Sequence, residues 1–297
     1  MEKAKGYFQQ AIDKDPNYAS AYVGLAEYYT VLSEITPTAM KDASPSIKSF
    51  VMRALAIDDA QPEAHALLGT YYDAIWEWDA AEMEFRRALE LNPNNARSHV
   101  LYAIHLEYLG NLDQVLVHLR RAIELDPLNL NGQDNLGEAY LYTKEYDKSI
   151  EQLNKTLEID PTFAGARFHL ARAYFLAGKY DLWMEELERD ARFLNDPNDM
   201  AVADAAKREY PKSGYRGALK RVVALREEQA KRIYIDPARI ALVYASLGEK
   251  EQAFDWLEKA YGEKSDRLPY IKVDPAYDSL RSDPRYADLL HRMGLPQ

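Results

Sequence analysis

Cysteine is absent from all 297 residues. That removes disulfide frameworks, thiol nucleophiles and Cys-based metal sites, and it fits a cytosolic or a periplasmic setting equally well. Long apolar runs are missing too: none approaches the ~18 residues that span a bilayer. The N-terminal stretch MEKAKGYFQQAI has no continuous apolar core and reads as an amphipathic helix, not a signal peptide. Positive charge is in deficit, with 37 Lys and Arg against 48 Asp and Glu and a net charge of −11. Such a balance argues against binding a phosphate backbone, which needs a basic surface.

Chemistry-bearing motifs are equally scarce. There is no GxSxG elbow and no HExxH pair among the six histidines, His65, His99, His105, His118, His169 and His291. His65 and His99 fall at a position that holds packing residues. Ser213-Gly214-Tyr215-Arg216-Gly217 is a turn with an N-cap, lacking the lysine and the preceding strand of a phosphate loop. Acidic pairs such as Glu185-Glu186 and Glu227-Glu228 are helix neighbours that do not face one another, so they form no acid/base dyad. The chain is expected to be non-catalytic, with no cofactor and no metal.

What the chain does have is a period. Pro93, Pro127 and Pro161 are spaced by 34 residues, and counting back from Pro93 gives Asp59. Gly69, Ala103, Gly137 and Ala171 keep the same interval. Each unit reads as two helices, with small residues where they cross and a proline-containing stop. Regular units cover 62–95, 96–129 and 130–163. An earlier one, 19–61, carries an insertion near 33–45; there Pro37 and the pair Ser44-Pro45 predict a loop, with Ser44 as N-cap of the next helix. Residues 1–18 are a half unit, which implies that the array continues upstream of Met1. Residues 164–233 are degenerate, with Met200–Tyr210 and Ser213–Lys231 as one helix pair, and 234–267 form the last unit. In 268–297, Asp274-Pro275 and Asp283-Pro284 are helix-start signals, and Tyr286, Leu289, Leu290 and Met293 form one apolar stripe. This tail is expected to cap the open apolar face of the array.

A helix-turn-helix unit of this length and pattern resembles the tetratricopeptide repeat (TPR). The resemblance implies an all-α chain: a right-handed TPR superhelix, or α-solenoid, closed by a C-terminal helical cap. A narrower likeness is carried by YFQQAIDKDPNYASAYVGLAEYY, RALAIDDAQPEAHALLG, WEWDAAEMEFRRALELNPNNARSHVLYA and the end ALVYASLGEKEQAFDWLEKAY…YIKVDPAYDSLRSDPRYADLLHRMGLP. These resemble the C-terminal TPR region of bacterial signalling proteins whose effector domain is a winged-helix regulator, a serine/threonine kinase or a nucleotide cyclase. None of those effector motifs is present here.

In TPR folds the first helix of each unit lines a concave groove, chiefly through places 2, 5, 6, 9, 12 and 13. The implied groove residues are Arg97, Val100, Ile104 and Tyr108 in one unit, then Asn131, Asp134, Asn135, Glu138 and Tyr142, then Phe168, His169, Arg172 and Phe175. Polar groups flanked by apolar ones suit a protein or peptide partner. The carboxylate clamp of chaperone-binding TPR proteins is absent, because Val100/Ile104 and Asp134/Glu138 stand where Lys and Asn are needed. Trp76 and Trp78 sit at a helix turn, either as staples, the favoured reading, or as an exposed anchor. The implied role is a sensor or scaffold module. The alternatives are the regulatory region of a parent enzyme and self-association through the N-terminal half unit.

Overall fold

The computed structural model describes residues 2–35 and 40–296. Helix follows helix along the chain, with no strand among the described residues. The helices are α1 (Glu2–Lys14), α2 (Ala19–Ile35), α3 (Met40–Ile57), α4 (Pro62–Ala74), α5 (Trp78–Leu91), α6 (Ala96–Leu109), α7 (Leu112–Leu125), α8 (Leu130–Tyr142) and α9 (Tyr146–Ile159). They continue with α10 (Ala164–Leu176), α11 (Tyr180–Leu194), α12 (Pro197–Ala230), α13 (Pro237–Leu247), α14 (Lys250–Gly262) and α15 (Pro284–Arg292). Two 3-10 helices, Leu268–Lys272 and Pro275–Leu280, lie between α14 and α15. The architecture is an all-α solenoid.

The stops between helix pairs share one device. The Asp or Asn before each proline accepts a hydrogen bond from the N–H two residues on: Asp15 from Asn17, Asn92 from Asn94, Asp126 from Leu128 and Asp160 from Thr162, at 2.8–3.2 Å. This turn satisfies a backbone donor where the helix has ended, while the proline prevents continuation. Asn95 and Asn129 then cap the following helices, accepting from Ser98 N–H and Gly132 N–H.

Small residues set the crossing of each pair. A Cβ at Gly137 would stand 2.5 Å from Leu153, so α8 and α9 approach closer than any side chain there permits. Ala81, Ala88, Ala103 and Ala122 are fully buried between successive pairs.

The insertion differs from the loop the prolines suggest. Helix α3 begins at Met40 and runs through Pro45, so Ser44 is not its N-cap. Ala43, Ile47, Val51 and Ala54 form one buried stripe. Burying an extra turn of that stripe offsets the one backbone hydrogen bond that proline removes. Residues 36–39 of the expected loop lie outside the described residues.

The degenerate region is a helix pair broken at Gly214, whose φ of 65° and ψ of −168° interrupt α12. Only glycine adopts that conformation readily. Both aspartate-proline signals in the tail start helices: Asp274 accepts from Ala276 N–H and Asp283 from Arg285 N–H.

The C-terminal core is not local. Tyr286, Leu289, Leu290 and Met293 pack with Phe254 and Leu257, but the same cluster includes Trp78, from the turn that starts α5. The solenoid curls until its tail meets its own inner face.

Candidate functional site

Helices α6, α8 and α10 present the inner surface, and the segment between α14 and α15 lies against it. Tyr270 sits between Tyr108 and Tyr142, with ring centroids 5.0 and 5.9 Å away. Arg172 forms an ion pair with Asp274, which is 1% exposed, and stands 3.7 Å from Glu138. Lys144 reaches Asp278 at 2.6 Å. The Trp78 indole N–H donates to the Met293 carbonyl at 2.7 Å, and Trp76 packs on Tyr261 with centroids 5.4 Å apart. Both tryptophans are therefore packing residues, but the surface they staple belongs to the far end of the chain.

Beneath this strap lies a buried charged network. His169 donates Nδ1–H to Asp134 at 2.9 Å and Nε2–H to Glu138 at 3.1 Å. Burial disfavours its charge, but Asp134 and Glu138 outweigh burial and lift the imidazole to about 10. Burial likewise opposes the charge on Glu138, and His169 and Arg172 prevail, holding this carboxylate below its usual range. Tyr142 donates its hydroxyl to Glu138 at 2.5 Å. Glu107, fully buried, has no hydrogen-bond partner among the described residues for either carboxylate oxygen. Burial, then the nearby charge of Glu138, push Glu107 well above the ordinary carboxyl range.

The implied groove residues thus divide. Val100, Asp134, Glu138 and Tyr142 are buried, and Tyr108, His169 and Arg172 are largely covered. Ile104 packs against the neighbouring core, while Phe175 joins an aromatic group with Tyr180, Trp183 and Tyr215. Arg97, Asn131, Asn135 and Phe168 keep contact with solvent. Arg97 pairs with Glu27, and Asn135 donates its side-chain N–H to the Asn131 carbonyl at 2.7 Å. Tyr142 and Arg172, expected to line an open groove, are covered instead: the strap rests on both.

Sequence reasoning missed the strap's Tyr270, the orphan Glu107 as a feature, and the His105 pocket. His105 is fully buried, with Nδ1 at 2.6 Å from Asp73 and Nε2 at 3.2 Å from Glu82. For the strap, repeat periodicity carries no signal, because its contacts join residues a hundred or more positions apart. His65 and His99, read as packing residues, contact Glu84 and His118 on the following helices, at 2.6 and 2.8 Å. No metal-holding group of His, Asp and Glu occurs among the described residues.

Family profiles recognise two parts of the chain. One, described as TPR repeat, matches residues 137–178, and the other, tetratricopeptide repeat, matches 238–266. The chain carries tetratricopeptide repeats. No curated protein matches its sequence. Among solved structures, the human IFIT1 dimer with m7Gppp-AAAA is similar over 99% of this chain and 68% of that one, at 16% identity and TM-score 0.65. The same human protein with PPP-AAAA gives 18% identity, coverage of 88% and 68%, and TM-score 0.61. YrrB, titled a TPR protein with an unusual peptide-binding site, gives 20% identity, coverage of 66% and 97%, and TM-score 0.43. At these identities the likeness concerns the TPR fold alone. No helix among the described residues is long and apolar enough to cross a membrane.

Proposed function

We propose that this TPR protein is a non-catalytic interaction module that takes a peptide or protein segment along the uncovered edge of its concave face. The observation that carries the reading is the partition of the inner surface. The strap covers Tyr108, Tyr142 and Arg172, while Arg97, Asn131, Asn135 and Phe168 remain accessible beside it. Asparagine amides can pair with both backbone groups of an extended peptide, and an aromatic ring supplies an apolar anchor. The module fits the sensor or scaffold part of a larger bacterial signalling protein, and regulation of a parent enzyme is the same mechanism with a different effector.

The test is selection of a displayed random-peptide library against the protein, followed by titration of the enriched peptides. Asn131→Ala with Asn135→Ala should weaken them at least about tenfold, roughly the loss of one or two hydrogen bonds. Both residues are outside the core, so the melt should not move. Equal binding by wild type and variant, or no enrichment, would overturn the reading.

Self-association is a second reading, favoured by α1, which buries none of its residues and leaves Tyr7 68% exposed. Light scattering across a concentration series decides it: a constant monomer mass removes it.

A further inference from the structure

Phe168 is surrounded by three guanidinium groups. Arg239, at the start of α13, lies 5.4 Å from the ring centroid; Arg267, just before the first 3-10 helix, and Arg172 each lie 5.9 Å away. Arg172 is neutralised by Asp274. Arg226, which also influences Arg239, is neutralised by Asp199. Arg239 and Arg267 differ: among the described residues neither guanidinium takes part in an ion pair or a side-chain hydrogen bond. Asp236 and Asp266 favour both charges but form an ion pair with neither. Asp236 is already committed, accepting from Ser265 Oγ at 2.9 Å on both oxygens and capping Ala238 N–H at 2.8 Å. Burial pushes the Asp266 carboxyl up, with Arg267 pulling the other way. The Arg267 charge, with burial second, holds Arg239 down at about 10.

Two like charges are therefore held beside one aromatic ring with no ion pair to either, although Asp266 and Asp236 favour the Arg267 charge, in a chain whose net charge is −11. Acidic side chains are abundant, yet among the described residues none forms an ion pair with either guanidinium. Arg239 is exposed and Arg267 half-buried, so a solute can reach both. Planar guanidinium donors match the two oxygens of a carboxylate, and the ring excludes water from one side of the contact.

We propose that Arg239 and Arg267, set over Phe168, form an oxyanion-binding site for a carboxylate carried by a peptide. The assignment rests on the reading that the inner surface receives a peptide, and it supplies that peptide's chemistry. Nucleic acid is the less favoured source of the anion. Two cations neutralise one or two carboxylates, whereas a polyphosphate would bring many further charges against an acidic protein.

The probe is fluorescein-labelled hexaglutamate with an amidated C-terminus, with hexaglutamine as the uncharged control and a 5′-phosphorylated oligoadenylate RNA as the third arm. Hexaglutamate should bind saturably at moderate salt while hexaglutamine does not. Arg239→Gln and Arg267→Gln should each weaken it at least tenfold. Arg239 is the member of the pair whose charge is disfavoured, so Arg239→Gln should leave the unliganded melting temperature unchanged or raise it. A purely structural role predicts a lower one. Hexaglutamate binding that survives both substitutions overturns the proposal, as does a fall in melting temperature with no binding by wild type. Binding of RNA without hexaglutamate reassigns the anion and overturns the carboxylate. If library selection instead yields uncharged peptides that ignore Arg239→Gln, this site fails and the groove reading stands. If hexaglutamate binds at the arginine pair but no library peptide is lost with Asn131 and Asn135, the groove reading fails and this site stands.

Discussion

Trp78 and Met293 are joined by a 2.7 Å hydrogen bond from indole N–H to backbone carbonyl, across 215 residues of chain. A solenoid whose units touch only their neighbours has no such contact. Here it ties the start of α5 to the end of α15 and turns an open array into a closed one. The cap meets the last helix pair and the pair α4/α5.

Trp78→Phe keeps an aromatic ring, though a smaller one, and deletes the donor. A buried carbonyl left without its partner costs about 1–3 kcal/mol. The expected outcome is faster amide exchange in α15 with unchanged helical content. Exchange in α15 equal to wild type would show that the bond does not hold the closure.

Arg172→Ala should release the strap. Asp274 is almost fully buried, and stripping a buried carboxylate of its cation costs about 3–5 kcal/mol. Limited proteolysis should then cut within 268–280, and Tyr142→Ala should add to the effect by removing the tyrosine that flanks Tyr270. Resistance to cleavage in the double variant would mean that the strap is held by α15 alone.

Glu107→Gln should stabilise the protein above about pH 5. A carboxyl whose pKa is raised on folding contributes stability that falls as pH rises through its unfolded value, near 4.3, toward the raised folded one. Between about pH 4.5 and 6.5 the His169 contribution stays constant, because that group is lifted from 6.5 to about 10 and loses its effect only above the lower figure. The melting temperature of the glutamine variant minus that of wild type should therefore grow across this window. A flat difference would place Glu107 in a wetter setting.

Gly137→Leu should disrupt the array from its centre. The added Cβ alone would stand 2.5 Å from Leu153, and overpacking a core costs about 1–3 kcal/mol or more where backbones must separate. An unchanged melt would show that α8 and α9 can part freely.

The sequence by itself determined the repeating part of this protein. Pro93, Pro127 and Pro161 end helices, Gly69, Ala103, Gly137 and Ala171 set their crossings, and Asp274 and Asp283 start the tail helices, all through interactions spanning a few residues or one repeat. Local rules failed once within that range: Pro45 looked like a helix start, and the buried stripe from Ala43 to Ala54 overrode it. Only the tertiary structure decided which inner residues are covered. Tyr142 and Arg172 carry the period of a groove lining, yet Tyr270 and Asp274 lie on them, and Arg239 and Arg267 reach Phe168 from a different pair of elements. Those contacts depend on the accumulated rotation of successive helix pairs. A small change in each crossing sums to a large displacement of the tail, and no single stretch of sequence encodes that sum.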